Sequence, residues 1–166
     1  MRLIKAFVLS SLLIPTLTYA GDKEHTVSLK PTEKNTAEGT VNFFKIKEGV
    51  KVTGTIKNLT PGEHGLHIHE KGDCSATDAK SAGDHFNPSA NLHGAPHDHN
   101  KHAGDFGNIT ANSGGIAKFE FVDKNLRMEG DNSIVNRSLV VHAKADDLKT
   151  QPAGDSGDRI ACGVIG

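Results

Sequence analysis

Eight of the ten histidines in this 166-residue chain fall between His64 and His102. Two of them, His67 and His69 in "GLHIHE", are separated by one residue in a stretch with strand character. Side chains alternate across a strand, so both rings point to one face. Two imidazoles on one short strand make half of a metal site, and the rest must come from elsewhere. His142, which ends the apolar run "SLVV", is a candidate. His85, His93 and His102 follow one another at gaps of eight and nine residues, which suits a loop folded around an ion. Asp105 comes three residues after His102. Three nitrogens and one carboxylate are a tetrahedral set that zinc accepts. Clustered imidazoles without a thiolate suit copper or zinc. Solvated loop histidines are the bland alternative. It fits any one of these residues better than it fits all of them together.

The elements that must carry these side chains read as strands. "TVNFFKI", "VKVTGTI", "LHIH", "IAKFEFV", "SLVVH" and "IACGVI" are short, rich in β-branched and aromatic residues, and bounded by turn formers. That pattern predicts an all-β sandwich or barrel. No long stretch has a helical period; "ADDLK", residues 145–149, has room for one turn. From about Lys71 to Asn108 no strand is expected. A loop of that length in a compact domain is functional or disordered, and its anchoring Cys74, histidines and Asp105 argue for function.

Residues 1–20 read as a secretory signal peptide. Arg2 and Lys5 precede an apolar run from Ala6 to Leu17, and "TYA" offers a small-residue cleavage site. Residues 21–166 would then be one domain, exported to a periplasm or secreted, and free of the membrane. Removal of Arg2 and Lys5 leaves 17 basic and 20 acidic side chains, a net charge of −3. That argues against a nucleic-acid partner, which needs a basic surface. Export also makes a disulfide between Cys74 and Cys162, the chain's two cysteines, the default expectation.

The stretches "GLHIHEKGDC", "SAGDHFNP", "HAGDFGN", "LVVHAKADDL" and "RIACGVIG" together resemble the Cu,Zn superoxide dismutase family, from about residue 26 to the C-terminus. The resemblance implies an eight-stranded Greek-key β-barrel, related to the immunoglobulin-like sandwich, with long metal-binding and electrostatic loops. It implies copper and zinc as cofactors and superoxide as substrate. By the same resemblance His67, His69, His85 and His142 bind copper, and His85, His93, His102 and Asp105 bind zinc. His85 is then shared between the metals and also catalytic. Asp146 resembles a carboxylate that hydrogen-bonds His67 and His93, and Cys74 and Cys162 resemble an intrasubunit disulfide. Arg159 resembles the arginine that receives the anion. The implied reaction takes two superoxide ions and two protons to oxygen and hydrogen peroxide, with copper cycling between oxidation states and zinc holding and tuning the bridge. A copper or zinc carrier without turnover is the alternative, and Arg159 with the complete ligand set argues against it.

Some residues depart from that pattern. Cys74 lies five residues after His69, as in bacterial periplasmic members, whereas "SAGDHFNP" and "KADDL" read like eukaryotic ones. The segment "KTQPAGDSGD" lacks a Glu-Glu-Lys arrangement, so Lys101, Lys144 and Lys149 stay open as steering residues. A homodimer is open as well, with no readable surface for it. His25, His64, His97 and His99 have no assigned role; His64 is expected at most to cap a turn. Asn58, Asn108 and Asn136 sit in N-x-S/T sequons. Glu70 beside the His-x-His pair is expected to face solvent.

Overall fold

The computed structural model describes residues 24–130 and 132–166. The signal-peptide expectation therefore lies outside the described residues. Eight strands form: β1 Glu24–Pro31, β2 Glu38–Ile46, β3 Gly49–Lys57, β4 Gly62–His69, β5 Asp105–Ala111, β6 Ala117–Asp123, β7 Ser138–His142 and β8 Arg159–Val164. They close into a barrel in the order β1-β2-β3-β6-β5-β4-β7-β8, every pairing antiparallel. The β3–β6 and β4–β7 neighbours give the Greek-key crossovers.

Period-two patterning explains the core. On β1, Val27 and Leu29 point inward; on β2, Val41 and Phe43 do, while Glu38 and Thr40 face out. A buried side chain of this kind contributes about 1.5–3 kcal/mol relative to exposure. β4 differs, because its last six residues are buried on both faces. Leu66 and Ile68 enter the barrel core, so His67 and His69 leave on the opposite face, beneath the long loops. On β7 Leu139 and Val141 fill the core. Val140 on the outer face packs with Ala79, Ala82 and Cys162 in a second apolar cluster under residues 74–82.

Two strands go beyond the sequence reading. β1 has only two apolar inward residues among polar ones. β5 begins at Asp105, inside the segment expected to be strandless to Asn108, because Gly107 and Asn108 mask its alternation. "ADDLK" forms no helical turn; the one helical element among the described residues is a 3-10 turn at Lys80–Ala82. Cys74 and Cys162 form a disulfide with Cα atoms 5.8 Å apart. It fastens the loop after β4 to β8. Closing a chain separation of 88 residues constrains the unfolded state by ~4–5 kcal/mol in the chain-entropy view.

Strand register then does much of the positioning. His67 lies opposite Asp105 across β4–β5, and His142 lies opposite Arg159 across a bulge in β7–β8. An isolated bridge pairs His69 with His85 from the loop.

Candidate metal centre

Ring nitrogens of His67, His69, His85 and His142 all lie within 4.8 Å of one another, and every one of the four residues is buried. Each ring is fixed by a partner on its far side. His67 Nε2 donates to Asp146 Oδ2 at 2.8 Å, His69 Nδ1 to the Gly83 carbonyl at 2.9 Å and His142 Nδ1 to the Gly157 carbonyl at 3.2 Å. A carbonyl only accepts, so in each neutral ring the other nitrogen presents a lone pair. Those lone pairs converge: His69 Nε2 and His142 Nε2 are 3.4 Å apart, and His67 Nδ1 and His85 Nε2 are buried without a hydrogen-bond partner. Facing lone pairs in a dry site call for a cation. A proton suits the place poorly, since burial and then the neighbouring imidazoles push His69 and His142 well below the ordinary histidine range. Burial likewise holds His85 down, to about 4, against the opposing pull of Asp105.

The second group is built round a carboxylate. His85 Nδ1 and His102 Nδ1 lie 2.7 and 3.2 Å from Asp105 Oδ1, and His93 Nδ1 lies 3.0 Å from Asp105 Oδ2. Three Nδ1 atoms and one buried carboxylate make a closed four-ligand set, which fits zinc. His93 Nδ1 and His102 Nδ1 have no aligned hydrogen bond. Gly94 and His102 backbone N–H groups hold Asp105 Oδ2 at 3.1 and 3.2 Å. Burial works against charge on both His93 and Asp105. Hydrogen bonds win: Asp105 and Asp146 hold His93 up at about 9, and His102, His85 and His93 hold Asp105 far below the carboxylate range.

One carboxylate joins the groups. Asp146 Oδ2 accepts from His67 and Oδ1 accepts from His93 at 2.9 Å. Asn108 clamps the Asp146 backbone: its Oδ1 accepts from Asp146 N at 2.7 Å and its Nδ2 donates to Asp146 O at 2.8 Å. Sequence reasoning missed this role. The signal was the final letter of "HAGDFGN", which stood out only as part of a sequon.

Arg159 flanks an open cleft with His69, His85 and His142. Its Nη1 donates to the Ala79 carbonyl at 2.8 Å and its Nη2 to the Gly83 carbonyl at 2.7 Å. Gly83 O thus receives both Arg159 and His69. Among the described residues lining the cleft, Arg159 is the only Lys or Arg, facing Glu70, Asp84 and Asp155. Lys101 cannot serve as a steering residue. It is 5 % exposed, with Nζ 3.3 Å from His102 O and 3.6 Å from Asp123 Oδ2. Lys144 and Lys149 are exposed outside the cleft lining.

His64 does more than cap a turn. It is buried, with Nδ1 donating to His142 O at 2.8 Å and Nε2 beside the Thr60 hydroxyl at 3.2 Å, so it ties β4 to the end of β7. Arg137 braces the opposite end of the same strand pair, its guanidinium 3.6 Å over the Phe86 ring and its Nη1 donating to Glu70 O. His97 and His99 are exposed and join no further metal-ligating group among the described residues. His25 lies on β1 opposite Phe43, and Glu70 is exposed as expected.

Residues 37–165 match the family model described as copper/zinc superoxide dismutase. The extracellular superoxide dismutase [Cu-Zn] of Brugia pahangi is 40% identical over 148 residues, covering 84% of this chain and 74% of that protein. Among solved structures, the clock protein EA4 is similar at 38% identity and a TM-score of 0.80, over 89% of this chain and 96% of that one.

Proposed function

The chain belongs to the copper/zinc superoxide dismutase family, and from that premise we propose that His67, His69, His85 and His142 hold copper while His85, His93, His102 and Asp105 hold zinc. The protein is an oxidoreductase that converts superoxide to oxygen and hydrogen peroxide. Bound copper supplies the one-electron exchange, and zinc supplies a fixed charge that is not redox-active. The observation that carries the ligand assignment is the sharing of His85 between two buried sets of convergent ligating atoms, four of whose imidazole nitrogens have no hydrogen-bond partner.

The chain's own residues do the rest. Arg159 holds the anion at the cleft; a guanidinium stays charged at any working pH and presents planar donors to a diatomic ion. His85, fixed through Nδ1, offers Nε2 toward the cleft as the atom that holds a proton and releases it to the reduced product. Asp146 orients His67 and His93 through their far nitrogens, which fixes tautomer and ring angle on both sides. Elemental analysis and superoxide consumption on one preparation test the reading. One copper, one zinc and turnover are expected per chain; full turnover with neither metal overturns it.

Residues 1–20 act, in this proposal, as a cleaved signal, and residues 21–166 as the exported domain. The extracellular relative supports export, as does the disulfide. No helix among the described residues is long and apolar enough to cross a membrane. The mature protein is assigned as free of the membrane and, as a working state, a homodimer. Intact mass and sedimentation of the exported protein test these points.

A further inference from the structure

Gln151 stands in the segment between β7 and β8 and belongs to the lining of the cleft. Its side-chain amide makes two hydrogen bonds to the backbone of His93. His93 N donates to Gln151 Oε1 at 2.8 Å, and Gln151 Nε2 donates to His93 O at 2.9 Å. Nε2 also reaches Lys149 O at 3.2 Å. Donor and acceptor together copy the paired bonds of an antiparallel ladder, which a carboxamide side chain can do without a change of protonation.

The chain around Gln151 closes on itself. Gly154 N donates to Thr150 O at 2.7 Å and Asp147 N to Gly154 O at 2.8 Å. Gly154 has φ +65°, and a Cβ there would overlap Asp146 Oδ1 and stand 2.7 Å from His93 Nε2. Residues 147–154 thus form a turn seated directly on the contact between His93 and Asp146, and Thr150 to Ala153 of the same turn form part of the cleft wall. We propose that Gln151 is a positioning residue for His93, holding this zinc-side ligand from the wall of the substrate cleft. Wall and ligand then move as one piece. The proposal rests on the assignment of His93 to zinc made above.

Cobalt(II) in place of zinc, in the copper-loaded exported protein, gives the test, because its visible bands report coordination geometry. Native protein should show the intense bands of a four-coordinate site. Gln151→Ala should shift those bands and release the ion to a chelator roughly 10-fold faster, the lower end of what lost outer partners cost. Gln151→Glu keeps the acceptor and loses the donor, so it should fall between the two and also serves if the alanine variant folds poorly. Thr150→Ala removes the Thr150 Oγ1 to Asp147 Oδ2 bond within the same turn without touching His93, and should keep the native spectrum. Native bands and native release in both Gln151 variants would overturn the proposal. An equal shift in Thr150→Ala would overturn it too, by showing general loosening of the turn. Absence of four-coordinate bands in native protein would instead sink the zinc assignment, and the proposal with it.

Discussion

The two groups proposed to hold copper and zinc use imidazoles under different rules. Three of the four copper-side rings stand on strands, His67 and His69 on β4 and His142 at the end of β7. Two of those rings back onto carbonyls that carry no formal charge. The zinc-side rings all come from the loop before β5 and gather round Asp105, with Asp146 behind His93. One group is therefore rigid, half backed by uncharged carbonyls and open to the cleft, and the other is loop-borne, charge-compensated and closed. An ion that must exchange electrons with an incoming anion gains from the first setting. An ion that holds a loop in place gains from the second. His85 belongs to both, and Asp146 spans them from outside.

The sharpest way to break this comparison is at the shared ring. His85→Ala should lower superoxide consumption by roughly 10²–10⁴-fold, the usual worth of a positioned proton donor. Metal analysis should show the two ions binding independently of each other. Retention of full activity would remove His85 from the mechanism.

Asp146 comes next. Asp146→Ala should weaken retention of both metals against a chelator by ~10–100-fold. Asp146→Asn sharpens the point, since a carboxamide can accept from only one of the two rings while its nitrogen opposes the other. The asparagine variant should therefore loosen one half more than the other. Unchanged retention of both metals in the two variants would separate Asp146 from ligand orientation.

Arg159 tests the open side alone. Superoxide dismutases are a known case of electrostatic steering, an effect worth roughly tenfold or more. Arg159→Ala should lower kcat/KM by about that tenfold, with both metals retained, and Arg159→Glu should lower it further. Since exposed charges are screened beyond ~8–10 Å near physiological salt, the native rate should fall as salt rises. The Glu variant should lose that fall. Identical salt slopes in all three forms would move the steering to Lys144 or Lys149.

The smallest effect should appear in the metal-stripped protein, as a pH dependence of opposite sign in the two halves. His85 sits at about 4 against an ordinary 6.5, so the unfolded chain takes its proton first, and stability falls as pH drops from about 6.5 toward 4. His69 and His142 act in the same direction. His93 sits at about 9, so its contribution is complete below 6.5 and is lost as pH rises through 9. Thermal unfolding between pH 4 and 10 should show both arms. His93→Ala should flatten the alkaline arm and leave the acid one; an unchanged alkaline arm would locate its cause elsewhere.

Side-chain chemistry with a short-range pattern was legible in the sequence. A His-x-His pair on a strand announces its common face, and period-two runs announced six strands. What stayed hidden has no letter of its own. The carbonyls of Gly83, Ala79 and Gly157 that aim His69, Arg159 and His142 are backbone atoms, present at every residue. Asn108 and Gln151 hold backbone rather than metal, so nothing in their type marks them. Lys101 looked like a surface cation until Asp123, 22 residues away at the end of β6, came beside it.

The Gly83 carbonyl receives His69 Nδ1 and Arg159 Nη2 together. It works as a machinist's datum: two parts gauged from one reference share its error. If the loop carrying Gly83 drifts, ring and guanidinium drift with it, and the spacing between them is preserved. Tolerance is therefore tight where the anion must meet the site and loose in the loop that supplies the reference.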